Sequence, residues 1–129
     1  MAKERDALSK TEWGIMNLCW TQGETSAREI YEASLRQKRR EYQTVKTMLD
    51  RMTAKGYLKR RMFGPIWLYR PAVTRAKALA QAIDGFVDTV LDNTLAPLFT
   101  HFVKKETLSP EELEALEALI AKARKEQKR

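Results

Sequence analysis

Residues 42–71 read YQTVKTMLDRMTAKGYLKRRMFGPIWLYRP, and a change of period inside this stretch decides the fold. Up to Lys55 the side chains of Val45, Met48, Leu49 and Met52 follow the i, i+3, i+4, i+7 spacing of a helix with one apolar face. Gly56 stands where a left-handed C-terminal residue belongs, so the spacing predicts a helix over about Gln43 to Lys55. Beyond it the helical period is lost. Tyr57 and Leu58 lead into Lys59, Arg60 and Arg61, then Phe63, Gly64 and Pro65 make a turn signal, and Ile66 to Tyr69 form a β-prone run closed by Pro71. This predicts a hairpin with a basic limb. Its aromatic residues Trp67 and Tyr69 are expected to pack under the helices rather than to stack on bases.

Upstream, two capping boxes announce two more helices. Ser9 with Glu12 opens the first, where Trp13, Met16 and Trp20 recur at helical spacing until Gly23, giving a helix over about residues 10–21. Ser26 with Glu29 opens the second, with Ile30, Ala33 and Leu35 as its inner face and an end expected near Gln37, before the basic run Arg36 to Arg40. Three short helices and a hairpin in this order are the layout of a winged helix-turn-helix, in which the third helix reads DNA and the hairpin, the wing, lies along the phosphate backbone.

The outward face of that third helix carries Gln43, Thr44, Lys46, Thr47, Asp50 and Arg51. Short polar side chains interleaved with long basic ones suit a major groove, although an ordinary amphipathic surface helix shows the same pattern. Gln43, Thr44, Lys46, Thr47 and Arg51 are the expected DNA contacts, while Asp50 repels phosphate unless it accepts from a cytosine amine. Arg39 and Arg40 in the turn and Arg60 and Arg61 on the hairpin are assigned to phosphates.

The charge distribution agrees with that division. The chain has 129 residues with 24 Lys+Arg, 17 Asp+Glu and a formal net charge of +7. Residues 1–70 hold 15 basic and 8 acidic groups, and residues 71–129 hold nine of each, so the whole excess lies in the front half. A focused basic field is what a polyanion-binding surface requires, because counterion release dominates affinity for duplexes. The 43% of hydrophobic residues argues against disorder. The first ten residues, MAKERDALSK, lack the apolar stretch of a signal peptide, and the longest apolar run, Leu95 to Phe99, is too short for a membrane span, so a cytoplasmic location is expected. One cysteine and one histidine exclude a disulfide framework and a Cys/His zinc cluster. No cofactor or metal is expected, and no enzyme activity. Cys19 is expected to be a small buried hydrophobe rather than a redox sensor. His101 is expected at the surface or in an interface, and Glu111, Glu112, Glu114 and Glu117 read as helix-start charge and solvated face.

The back half is a different object. Thr74 can cap a helix in which Leu79, Ile83, Phe86, Val87, Val90 and Leu91 make a broad apolar stripe, and Pro97 interrupts or restarts it. Leu95, Leu98, Phe99, Phe102 and Val103 continue the apolar surface. Ser109 as cap, Pro110 at the first helical position and Glu112 at the third open the last helix, followed by Leu113, Leu116 and Ile120, and its tail is expected to fray after Arg124. Three helices with this much apolar surface are too few for a core of their own, so the face is expected to meet its copy in a second chain. Residues 1–72 are thus read as a winged-helix DNA-binding domain and residues 73–129 as a helical dimerisation domain. A two-fold dimer presents two reading helices to a palindromic site.

Ordered along the chain, these marks resemble the penicillinase-repressor family (BlaI/MecI/CopY). They are Leu8-Ser9-x-x-Glu12-Trp13 with Met16 and Trp20, then Tyr42-x-Thr44-Val45-x-Thr47 with Arg51, then Lys55-Gly56-Tyr57-Leu58 and Trp67-Leu68-Tyr69-Arg70-Pro71, and last Phe102-Val103 with Leu108-Ser109-Pro110-Glu111-Glu112-Leu113. The resemblance runs from about Leu8 to Ile120. It implies a homodimer that holds an operator shut, in the setting of a β-lactamase or related resistance operon. It also implies relief by a membrane sensor protease that cuts inside the dimerisation region, just before the residue matching Phe102. Here His101 stands where the proteolysed members have Asn. The copper-responsive branch carries a cysteine-rich C-terminal motif, and the tail from Lys104 onward has neither Cys nor His.

Two other functions fit the residues. A winged-helix module can dock another protein, its basic face being incidental, and it would then retard no DNA in a gel. An RNA-binding domain would use exposed aromatic side chains for stacking.

Overall fold

The computed structural model describes residues 5–127. Residues 1–4 and 128–129, which belong to the N-terminal segment read as leaderless and to the outer ends of the two expected domains, lie outside the described residues. The order is α1 (Lys10–Gln22), β1 (Thr25–Ser26), α2 (Ala27–Ser34), α3 (Tyr42–Lys55), β2 (Leu58–Phe63), β3 (Ile66–Pro71), α4 (Arg75–Thr89), α5 (Ala96–Lys104) and α6 (Pro110–Gln127). The chain forms two compact units, Met1–Ile83 and Asp84–Arg129.

In the first unit the helix starts form as the capping boxes predict. Glu12 N–H donates to Ser9 Oγ at 3.1 Å and Ser9 N–H donates to Glu12 Oε1 at 2.9 Å, with the same exchange between Ser26 and Glu29. α3 stops at Gly56, whose φ of 92° lies in the left-handed region and whose N–H donates to the Met52 and Thr53 carbonyls. A side chain there is strained by that φ, which is why a glycine ends the helix. Two-residue turns between antiparallel strands need a positive φ at their first position, and Gly64 supplies it at 61°. Pro65 fixes a negative φ at the second position, which excludes type I′ and leaves type II′.

Several elements depart from the sequence expectation. α2 ends at Ser34, short of Gln37, where the fully buried Ser34 hydroxyl donates to the Tyr31 carbonyl at 2.7 Å and the chain leaves in a turn. Leu35 therefore lies beyond the helix and is 43% exposed, not on its inner face. The hairpin is joined by a third strand: β1 pairs antiparallel with β3, Thr25 opposite Tyr69, giving the sheet order β1-β3-β2. α6 runs as helix to Gln127, past Arg124.

The core of the first unit lies between the three helices and one face of this sheet. Ile15, Met16 and Cys19 of α1, Ile30 of α2, Val45, Leu49 and Met52 of α3, and Leu58 and Tyr69 of the sheet are buried together. Truncating a side chain as enclosed as Leu49 to Ala is expected to cost about 2–5 kcal/mol. Trp20 closes one side, its Nε1–H donating to the Val73 carbonyl at 2.9 Å.

In the second unit α5 begins at Ala96 with Pro97 in its first turn, and α6 begins with a capping box between Ser109 and Glu112. The stripe of α4 stops at Thr89, so Val90 and Leu91 follow the helix, and Asp92 and Asn93 turn the chain with φ of 50° and 61°. No described side chain of this unit is fully buried. No described helix is long and apolar enough to cross a membrane.

Candidate nucleic-acid interface

α3 turns Val45, Met48, Leu49 and Met52 into the core, and helical geometry then sends Gln43, Thr44, Thr47 and Arg51 outward on the opposite side. The structure brings these four together around a shallow depression of about 300 Å³, with Glu41 and Met48 at its margin. Amide, hydroxyl and guanidinium groups on one helical face can donate to and accept from base edges.

Lys46 and Asp50 occupy a different flank of the same helix, facing the wing. The Lys46 ammonium donates to Asp50 Oδ2 at 3.3 Å, and Arg60 Nη1 of β2 donates to Asp50 Oδ1 at 3.0 Å. Tyr69 of β3 donates its hydroxyl proton to the same Oδ1 at 2.5 Å. Burial pushes the Asp50 carboxyl up, but the bonds from Tyr69 and Lys46 and the charge of Arg60 outweigh it and hold the group below its ordinary value. Burial and then the neighbouring Asp50 push the Tyr69 phenol up to about 12, so it remains a donor.

The pleat of the sheet explains what the wing shows. Thr25, Tyr69 and Arg60 are cross-strand partners, with Thr25 and Tyr69 turned into the core. Ser26, Leu68 and Arg61 are partners with alternate orientation, and Glu24, two residues before Ser26, shares their face. Arg61 accordingly meets Glu24 in a bidentate pair at 2.6 and 2.9 Å. Trp67 is a correction to the expected core: it is 37% exposed, because an open cleft separates it from the α2 and α3 side chains at this level, and the Arg60 guanidinium lies 4.3 Å above its ring. Tyr69 is buried as expected.

The cations expected to contact DNA, on α3 and off it, thus divide. Arg39 and Arg51 are exposed, whereas Lys46, Arg60 and Arg61 each pair with a carboxylate and Arg40 donates to the Ser34 carbonyl at 3.3 Å. Arg28 belongs with this surface and carries no sequence assignment. It lies over the Tyr42 ring at 4.4 Å and, with Tyr42 and Lys46, faces Ile66 and Trp67 across a cleft of about 250 Å³. Its position in the first turn of α2, just after the Ser26 cap, was the available signal, because helix starts face anions. Lys59 and Arg70 add exposed cations on the wing.

Away from this surface, burial pushes the Cys19 thiol up to about 12. His101 is exposed on α5 with its ring 5.6 Å from that of Phe102.

Known repressors share this chain's sequence pattern and its fold. The chain is 30% identical over 115 residues to the methicillin resistance regulatory protein MecI of Staphylococcus aureus strain N315, covering 89% of this chain and 94% of that one. The solution structure of the DNA-binding domain of the repressor BlaI covers 58% of this chain and 92% of its own, with a TM-score of 0.52 and 23% identity, a likeness of fold. The Bacillus licheniformis BlaI monomer solved in complex with the blaP half-operator covers the same shares, with a TM-score of 0.50 and 23% identity. A penicillinase repressor family model matches residues 8–122, nearly the whole chain, and this protein therefore belongs to the penicillinase repressor family and is a DNA-binding repressor, not an enzyme.

Proposed function

We propose that two copies of this chain assemble into a homodimer that occupies a palindromic operator and shuts a promoter by occlusion. The observation that carries the reading is the open face of α3, where Gln43, Thr44, Thr47 and Arg51 stand together with their backs to the core. In this reading residues 1–72 bind DNA, with the four side chains at base edges and Arg39, Arg40, Lys46, Arg60 and Arg61 at phosphates. Residues 73–129 hold the dimer through Leu79, Ile83, Phe86, Val90, Leu95, Leu98, Phe99, Phe102, Leu113, Leu116 and Ile120. Their support is that nearly all of these side chains are exposed, and the described residues from Asp84 onward include no buried side chain, so their apolar face needs a cover.

The regulated genes belong to antibiotic resistance or a related operon, in line with the name of the MecI relative. The repressor acts in the cytoplasm, where the promoter is. Relief comes from an event in the dimerisation region, for which cleavage of the His101-Phe102 bond by a membrane sensor protease is the candidate. That bond lies inside α5, where the His101 carbonyl accepts from Lys105 N–H at 3.1 Å, so the helix must open before a protease can take the chain as an extended strand.

A footprint of the full chain on the DNA upstream of its own gene tests the function. A protected palindrome is expected, and Arg51→Ala should weaken binding to it by about 1–3 kcal/mol while leaving random duplex nearly unaffected. Equal binding to operator and random duplex overturns the proposal.

A further inference from the structure

Asp50 is a carboxylate on a helix that serves a polyanion, where its charge opposes binding. Both of its oxygens are engaged by the protein: Oδ1 accepts from Tyr69 and Arg60, and Oδ2 accepts from Lys46. Neither Arg60 nor Tyr69 has a described hydrogen bond to a side chain outside this cluster, and the two stand directly opposite each other on β2 and β3. One side chain of the reading helix thereby grips both strands of the wing at the same level.

That level matters mechanically. The hairpin is anchored at its root by the buried Leu58 and Tyr69, whereas every residue from 59 to 67 is exposed. β1 pairs with Leu68 and Tyr69 and Glu24 holds Arg61 on the outer face, but on the face turned to α3 the ribbon beyond Tyr69 has too few apolar contacts to fix its angle. Arg60, held by Asp50, also covers the face of Trp67, which carries the restraint further out along the wing. A cytosine-reading role fits poorly, since it requires an acceptor free of its protein donors.

We propose that Asp50 is a positioning residue for operator recognition: it fixes the angle of the wing against α3 and holds Lys46 and Arg60 on the side of the helix where the backbone passes. This role rests on the function proposed above. Its gain is specificity, because groups held in place lose less freedom on binding than groups that must be ordered by the DNA.

The test uses the full chain, the footprinted operator and a random duplex, with Asp50→Asn and Tyr69→Phe compared with wild type. Tyr69→Phe keeps the buried ring and removes only the donor, so it probes the tie even if Asp50→Asn folds poorly. Asp50→Asn should bind random duplex at least as well as wild type, because a repelling charge is gone, yet its preference for the operator should fall about tenfold. In the absence of DNA, amide exchange over residues 58–71 should quicken in both variants while α1 and α2 keep their protection. Tighter binding of Asp50→Asn to both duplexes by one common factor, or unchanged wing exchange in both variants, overturns the role. A wild-type protein without operator preference overturns the proposed function, and this role with it, before any variant is measured.

Discussion

The Lys55 ammonium donates to both carboxylate oxygens of Glu12, at 2.9 and 3.2 Å, and so ties the last turn of α3 to the first turn of α1. Glu12 is nearly buried and closes its own helix at the same time, accepting from Ser9 N–H. Lys55 also donates to the Ala7 carbonyl at 3.2 Å, and Tyr57 donates its hydroxyl proton to the Asp6 carbonyl at 2.6 Å. The segment before α1 is thereby strapped across the C-terminal end of α3, where the chain passes into β2.

Removing Glu12 undoes two devices in one step. Glu12→Ala takes away half of a capping box and leaves the Lys55 charge half-enclosed without its partner, which should lower stability by about 2–4 kcal/mol. Urea denaturation checks this, with Glu12→Gln expected to lose less because its amide can still accept from Ser9.

The same carboxyl predicts an acid limb. Burial pushes its pKa up, but the Ser9 N–H and the Lys55 ammonium outweigh burial and hold it below its ordinary value of 4.5. A carboxyl held low in the folded state contributes stability that is fully present above the unfolded value and is lost as pH falls through the folded one. Asp50 shifts in the same direction and adds to the effect. The midpoint in urea should therefore be flat from pH 7 to about 5 and fall below about 4.5, more shallowly in Glu12→Gln.

What the sequence discloses and what it conceals divide along the length scale of the contacts. The helix starts at Ser9, Ser26 and Ser109 and the stop at Gly56 were legible because each is made by residues within one turn of chain. β1 was not, because two residues have no periodicity and become a strand only by meeting β3. The outward face of α3 was legible from its apolar spacing. The pairing of Arg61 with Glu24 was not, since the two meet only after three strands are in register, and the exposure of Trp67 was not, because alternation along a strand does not tell how closely the helices opposite it approach. The Lys46–Asp50 bond has helical i, i+4 spacing and could have been read in advance.

Arg61 is held by Glu24 on an exposed face of the wing. If Arg61 serves a phosphate, Glu24 competes with the DNA for it. Glu24→Gln should tighten binding to operator and random duplex alike and steepen the dependence of log Kd on log salt by up to about one ion. A salt titration of both duplexes measures this, and an unchanged slope would show that Arg61 stays off the backbone.

Cys19 is fully enclosed between α1 and the rest of the core, and burial pushes its thiol up to about 12. The thiolate is the reactive form, so the native protein should resist alkylation at pH 8 for as long as it stays folded, and should react promptly in urea. Mass spectrometry after iodoacetamide treatment reads the difference directly, because the chain has a single cysteine. Fast labelling of the folded chain would mean that this part of the core opens far more often than its packing implies.

The exposed side chains of the second unit offer a test whose sign depends on what covers them. Phe99 is 44% exposed on α5, Val103 59% and Ile120 50%, with Ile120 on α6. A glutamate in place of an apolar side chain that only meets water costs little and improves solubility. In place of one that meets a second chain it buries a charge without a partner and prevents assembly. Phe99→Glu should therefore halve the mass seen by sedimentation while leaving the amide protection of α1 to α3 unchanged. Because two linked binding faces share one effective concentration, the monomer should lose affinity for the full palindrome by about 10²-fold yet bind a half-site as wild type does. A Phe99→Glu protein that sediments as wild type and keeps its grip on the palindrome would remove α5 from the interface and turn the search to Leu79, Ile83 and Phe86 of α4.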